Sequence, residues 1–387
     1  MRKADLRCRV DVQANCAPST VEILWTLRKG KGNNPDNTPC LNVLATSRLT
    51  KVLTALILGA CFAHTLHLYV EERTTFKEDG VFTGDSDTSV SIPRIGLGTG
   101  RLKGKKAYRT TLRALELGYR MIDTAASYEN EVQIGNAIRD SGIPRKEIFV
   151  ISKCGAHACS LSAGETRKTL NKSMTDLGLD YIDLYLIHMP CESGLGDSNI
   201  LRARIVPGQL KQMCRSKTPD YESTAARRRQ QVWKELGELK RQKLLRNIGV
   251  SNFQVNHLRE LCNSEVGCPL VNQVEWHPRW HDEQLKSMMD KNKITLIAYA
   301  PTGPANDLKL MHMTQSDNFN ITTSAASLSW ALRRGVSIIP RATSEIHLKE
   351  NLFVTEQLIS FETAQQIDSL QNESQTCLYC HHFHCYD

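Results

Sequence analysis

The sequence predicts an α/β fold, a (β/α)8 TIM barrel, and three observations carry that expectation. Eight short apolar runs alternate with longer amphipathic stretches from Ile92 onward. The runs are rich in Ile, Val, Leu or Tyr, and most are too short for a helix. A polar or ionisable residue closes or falls in nearly every run. Eight such units over roughly 260 residues fit a closed barrel of parallel strands. A doubly wound open sheet is the alternative. Its G-x-G-x-x-G signature is missing after the first run, where GLGTG at Gly96 to Gly100 has the glycines without the spacing.

The elements follow in order. Residues 1–51 are basic and aperiodic, with Gly, Asn and Pro clusters, and read as a disordered leader. Residues 52–70 are free of formal charge and about long enough to cross a bilayer as a helix. Lys and Arg precede them and Glu71 and Glu72 follow, so a spanning helix would keep the N-terminus cytosolic. His64, His67, Thr54 and Thr65 dilute the apolar character, and a targeting segment or a faulty gene model is the other reading. The protein is therefore expected either to be a single-pass or endomembrane-associated protein, or to be cytoplasmic or organellar. Lumenal exposure predicts a glycan on at least one of the sequons at Asn171, Asn320 and Asn372.

Residues 71–90 are polar and read as a linker, and residues 91–373 form the expected barrel. Its strand runs are RIGLGT, YRMIDT, IFVISK, IDLYLIH, NIGVSN, LVNQVEW, ITLIAY and VSIIPR. Among the helical stretches, AYRTTLRALELG places Leu112, Leu115 and Leu117 broadly on one side. In SAGETRKTLNKSMTDLGL, Ser162 and Glu165 make a capping-box pattern. RRRQQVWKELGELKRQKL carries Val232, Leu236 and Leu239 at helical spacing, with Arg227, Arg228 and Arg229 read as a solvated face. Met189 to Ala226 reads as a loop inserted after the fourth run, lining the pocket or simply solvated.

The chain has 387 residues, 41% hydrophobic and 23% charged, with a formal net charge of +8. That charge suits an anionic small molecule and lacks the concentrated stripe of a nucleic-acid binder, so no nucleic-acid partner is expected. The 13 cysteines show no regular framework, and most are expected to be free thiols. In the Cys/His-rich tail, residues 374–387, Cys377, Cys380 and His381 match a haem-attachment pattern, and Cys377, Cys380, His384 and Cys385 have zinc-ligand chemistry. The tail is short and terminal, so a plain tail is preferred and no metal is assigned.

Position singles out the candidate site. Asp123, Lys153, His188, Asn252, Tyr299 and Arg341 close their runs, and Gln273 falls inside LVNQVEW. Strands of a parallel barrel point one way, so these residues gather at one rim, where active sites of this fold are built. A free phenol has a pKa of roughly 10, and a nearby ammonium lowers it. Lys153 would supply the ammonium, Asp123 would hold it, and Tyr128 lies just past the strand that ends at Asp123. His188 would orient a carbonyl oxygen. Such a site protonates that oxygen as hydride reaches its carbon.

These motifs resemble the aldo-keto reductase family from about Ile92 to Asn372. YRMIDTAASYENE resembles the segment with the Asp and the catalytic Tyr, ISKCG the Lys segment, and YLIHMP the His segment. GVSNF and NQVEWHP resemble the carboxamide-holding parts, and IIPRATSEIHLKEN the adenosine-phosphate segment. The resemblance implies reduction of a small aldehyde or ketone by a monomer, with Asp123, Tyr128, Lys153 and His188 catalytic. It implies NADPH as cofactor, with NADH the alternative. Ser251, Asn252 and Gln273 would grip the carboxamide, Tyr299 would stack on the nicotinamide, and Thr99 and Asp123 would approach the ribose. Arg341, Thr343, His347, Glu350 and Asn351 would serve the 2′-phosphate and adenine end, and His188 and Met189 the substrate. Three departures stand out. Arg341-Ala342 replaces the family's common Lys-Ser, His347 replaces an Arg, and Met189 stands where several members have Trp. The alternative function is a membrane-associated subunit that senses NADPH and turns over little.

Overall fold

Each of the eight apolar runs contributes a parallel strand, as seen in a computed structural model of the chain. The structure describes residues 81–83, 90–154, 164–190, 221–304, 307, 310, 312–313, 321–356 and 358–373. All of them lie in one compact unit, Glu78–Asp387. The leader, the 52–70 segment, residues 191–220 and the Cys/His tail fall outside the described residues. Among the described residues no helix is long and apolar enough to cross a membrane.

The first two strands, β1 (Val81–Thr83) and β2 (Val90–Ile92), pair antiparallel. They lie largely in the stretch read from sequence as a linker. The barrel-like sheet follows as β3 (Leu97–Gly98), β4 (Met121–Asp123), β5 (Phe149–Cys154), β6 (Ile182–Ile187), β7 (Leu245–Ser251), β8 (Val271–Glu275), β9 (Thr295–Tyr299) and β10 (Ser337–Ile338). They are hydrogen-bonded in chain order, every pair parallel. The two ends of the row also meet. Gly96 N donates to Ile338 O at 2.9 Å, Ile338 N to Arg94 O at 2.9 Å, and Gly98 N to Pro340 O at 3.1 Å. A Cβ on Gly98 would sit 2.7 Å from Ile339 O, so this seam requires glycine.

Helices cover the outside: α1 (Gly104–Glu116), α2 (Glu131–Asp140), α3 (Glu165–Leu177), α4 (Tyr221–Arg241), α5 (Val255–Cys262), α6 (Glu283–Lys291), α7 (Thr323–Arg333), α8 (Glu345–Phe353), α9 (Phe361–Asp368) and α10 (Leu370–Glu373). The period-2 alternation of the strands separates two cores. Met121, Ile151, Leu184, Leu186, Val271, Ile297 and Ile339 form an inner cluster, joined by Ile92 from the hairpin. Ile122, Val150, Tyr185, Val250, Val274 and Ala298 face outward to the helices, where Trp233, Leu258 and Trp330 join them.

Several local expectations are corrected. The buried stripe of α1 is Ala107, Thr110, Thr111, Ala114 and Leu115; Leu112 and Leu117 are half-buried. Helix α3 starts at Glu165 with Gly164 at its N-cap, φ 83°, and the expected cap Ser162 lies outside the described residues. Tyr221–Ala226, read as loop, belong to α4. Arg229 is not solvated: it is 1% exposed, because it lies three and four residues before Val232 and Trp233 on the buried stripe. Its guanidinium pairs with Glu260 at 2.7 Å and donates to Pro190 O at 3.4 Å. Cys262 and Cys268 form a disulfide, while Cys154 is a buried free thiol. The Asn171 sequon lies within α3, where Ser173 is buried and donates to Glu131.

Candidate active site

Side-chain parity explains why the rim is polar. In a strand, residues two apart face the same side. Asp123, Lys153, His188, Gln273, Tyr299 and Arg341 each lie two positions beyond a member of the inner apolar cluster: Met121, Ile151, Leu186, Val271, Ile297 and Ile339. Ser251 follows Gly249 in the same way, and a Cβ on Gly249 would meet Leu186 and Val271. The residues that fill the sheet therefore aim the residues above them into its mouth.

Lys153 is fully buried at the centre of the rim. Its Nζ donates to both Asp123 carboxylate oxygens and to Thr124 O, each at 2.8 Å, and lies 3.4 Å from the Tyr128 hydroxyl. Burial works against the ammonium. The Asp123 carboxylate and the Tyr128 oxygen outweigh it, and the Lys153 pKa is raised. Lys153 is therefore cationic at neutral pH and beyond. Tyr128 ends a 3-10 turn, Ala126–Tyr128, that follows β4. Its ring lies edge-on to His188 at 5.7 Å between centroids. The Ser127 hydroxyl is 3.4 Å from His188 Nδ1. Cys154 is the next residue of β5 and has the opposite parity. Burial pushes its thiol up to about 12, which makes it a neutral packing group.

The residues expected at the carboxamide are adjacent and bonded to one another. Ser251 Oγ donates to Gln273 O at 2.7 Å, and Gln273 Nε2 donates to Asp123 Oδ2 at 2.7 Å. Asn252 Nδ2 donates to His188 O at 3.0 Å and lies 3.1 Å from Met189 Sδ, while its Oδ1 accepts from Tyr299 OH at 2.9 Å. Thr99 is buried, and its hydroxyl donates to Asp123 O at 2.8 Å. Arg101, Asn252 and Ala300 adopt positive φ within three residues of strand ends of this rim, and Glu129 does so directly after the Tyr128 turn. Non-glycine residues pay for that conformation, and such strain concentrates at functional sites.

At the expected adenosine end, Arg341, Thr343 and His347 are exposed. Arg341 Nη1 donates to Gly100 O at 3.2 Å. His347 Nδ1 lies 3.3 Å from Glu350 Oε2, and the other Glu350 oxygen accepts from Thr322. Asn351 is buried, so the structure turns it inward. Ala342 is buried as well.

Sequence reasoning missed the supports behind these residues. Asn130 is fully buried, donates to Thr99 O and Leu102 O at 3.0 Å each, and accepts from Thr124 Oγ1 at 2.6 Å. Glu131 accepts from Ser152 at 2.6 Å and Ser173 at 3.1 Å. Burial raises its pKa, against those two bonds. Together they tie the Tyr128 turn to β3, β4, β5 and α3. The polar pair Asn130–Glu131, two residues past Tyr128 at the start of a helix, was the available signal. Among the described residues no group of side chains is arranged to hold a metal ion.

Comparison with known proteins agrees with this geometry. The model of the aldo/keto reductase family matches residues 94–305. Glycerol 2-dehydrogenase (NADP(+)) of Saccharomyces cerevisiae is 33% identical over 301 residues, covering 74% of this chain and 90% of its own. Glyoxal reductase of Bacillus subtilis is 33% identical over 286 residues, covering 73% and 91%. The crystal structure of an aldo/keto reductase from Brucella melitensis superposes with a TM-score of 0.61 at 27% identity, covering 74% of this chain and 98% of that one. Fold, rim and relatives agree: this chain belongs to the aldo/keto reductase family.

Proposed function

We propose that the protein reduces aldehydes or ketones to alcohols with NADPH, and that Tyr128 delivers the proton. The observation that carries this reading is the contact of the Tyr128 hydroxyl with Lys153 Nζ, 3.4 Å away, while both Asp123 oxygens hold that ammonium. The fixed positive charge stabilises the tyrosine oxygen as it gives up its proton. In the tautomer where Nδ1 accepts from the Ser127 hydroxyl, the His188 ring proton sits on Nε2 and offers a donor to the carbonyl oxygen. Met189 forms part of the wall beside it.

The rim chemistry fits a nicotinamide cofactor. Ser251, Asn252 and Gln273 present hydroxyl and amide groups to a carboxamide, and the Tyr299 ring suits the nicotinamide face. When bound, the cofactor supplies the hydride. Arg341 suits the 2′-phosphate through its two-pronged guanidinium, with Thr343 beside it. Ala342 brings no hydroxyl and His347 replaces a permanent charge, so the preference for NADPH over NADH is smaller than a Lys-Ser and Arg pair would give. The named relatives that use NADP or reduce a carbonyl compound support the reading.

The full chain should bind NADPH and oxidise it in the presence of nitrobenzaldehyde or another broad carbonyl substrate. Tyr128→Phe should lower kcat by about 10²–10⁴-fold, the contribution typical of a general acid, with NADPH binding retained. NADPH binding without turnover across a wide carbonyl panel would refute the proposal and favour a sensing subunit.

A further inference from the structure

Gln273 lies between the two chemistries of the rim. It is 2% exposed, on β8, and its Nε2 reaches Asp123 Oδ2 at 2.7 Å. An ionised carboxylate only accepts, so the amide nitrogen must face Asp123 and the amide oxygen must face away. Among the described residues Oε1 accepts no hydrogen bond. The backbone oxygen of the same residue accepts from Ser251 Oγ at 2.7 Å and Asn252 N at 3.0 Å. One residue thus touches both the acid-holding carboxylate and the two expected partners of the carboxamide.

We propose that Gln273 is a positioning residue for the proton donor: beyond the carboxamide contact already assigned to it, it tunes through Asp123 how strongly Lys153 acts on Tyr128. The inference rests on the carbonyl-reductase reading and deepens it. Asp123 shares its charge between Lys153 and the Gln273 amide. Remove the amide, and the carboxylate cancels more of the ammonium's field at the tyrosine oxygen. The phenol then loses less readily its proton. Among the described residues, other charged or titratable groups near Tyr128 include His188, facing its ring, and the exposed pair Lys103–Glu129 at 2.7 Å, with Lys103 Nζ on Tyr128 O. The proposed change leaves all of these in place.

The test uses the full chain without and with NADPH. Tyr128 ionisation is read by ultraviolet difference titration of the cofactor-free protein against Tyr128→Phe, in the wild-type and Gln273→Leu backgrounds. NADPH affinity is read by fluorescence. Gln273→Leu should move the Tyr128 titration to higher pH by an amount on the order of one unit and weaken NADPH binding about tenfold. Gln273→Met, unbranched and of similar length, should do the same and guards against misfolding of the leucine variant. Weaker binding with an unmoved titration would overturn the proposal, leaving Gln273 a carboxamide contact only. A moved titration with unchanged NADPH affinity would support the link through Asp123 and count against the carboxamide contact of the proposed function. Failure of wild-type turnover would instead defeat the carbonyl-reductase reading, and the cofactor-free titration would still judge the Gln273–Asp123 link.

Discussion

Lys153→Met removes one ammonium and keeps a side chain of similar length. Asp123 is 2% exposed and would lose the cation that binds both of its oxygens. Gln273 Nε2 would remain on one oxygen. Breaking a buried ion pair by removing one partner costs about 3–5 kcal/mol, because the surviving charge is left uncompensated. For a domain of this size that is a fall in Tm of roughly 5–10 °C. Lys153→Met/Asp123→Asn removes the stranded charge and should recover much of the loss, while turnover stays abolished. The pH dependence has a definite sign. The folded-state pKa of Lys153 is raised above its unfolded value. Its stabilisation is therefore complete below the unfolded value of about 10.4 and is lost as pH rises through the still higher folded value. Thermal melts of the single and double variants, with NADPH oxidation in parallel, are the assay. A single variant within about 1 kcal/mol of wild type, or a double variant no more stable than the single, would refute the reasoning.

Two further outcomes follow from groups outside the candidate site. Burial, with the Arg229 charge, lowers His257 to about 3, and burial lowers His281 to about 4. Both stabilise the fold in neutral form above the unfolded pKa of about 6.5, and that stabilisation is lost as pH falls toward 4 and 3, at up to about 1.4 kcal/mol per pH unit each. Denaturant titrations at stepped pH should show this slope, and His281→Gln should flatten it; an unchanged slope would count against the assignment. The Cys262–Cys268 disulfide closes a short loop of sequence separation 6, on the N-terminal side of β8. Reduction should cost about 2 kcal/mol of stability by loop entropy and leave turnover unchanged. A fall in kcat on reduction would contradict its placement away from the rim.

What was legible in the sequence was whatever rests on periodicity. The eight runs became eight strands because short β-rich segments between amphipathic helices have few other ways to bury both faces. The rim followed, because a polar residue two positions beyond a core residue must face the same side, as Lys153 does after Ile151. Charge type misled the reading at Arg229, whose position on the α4 stripe outweighs its chemistry because Glu260 and Pro190 O meet it. Asn130 and Glu131 showed only as a polar pair opening a helix, and their roles were not legible for another reason. Their roles depend on Thr99, Ser152 and Ser173, which are distant in sequence and meet only in the folded chain. The β1–β2 pair consists of two strands of three residues each, too short to show alternation. The cofactor was never legible from spacing; it came from family resemblance.

The central claim is that the Asp123–Lys153–Tyr128 relay serves hydride transfer to a carbonyl. Its most direct test is to supply NADPH deuterated at the transferred position to the full chain, with an aldehyde, and to locate the label in the product. The account predicts one deuterium on the alcohol carbon with the wild type, and labelled alcohol formed about 10²–10⁴-fold more slowly with Tyr128→Phe. Unlabelled product, or labelled alcohol formed equally fast by the two proteins, would contradict it.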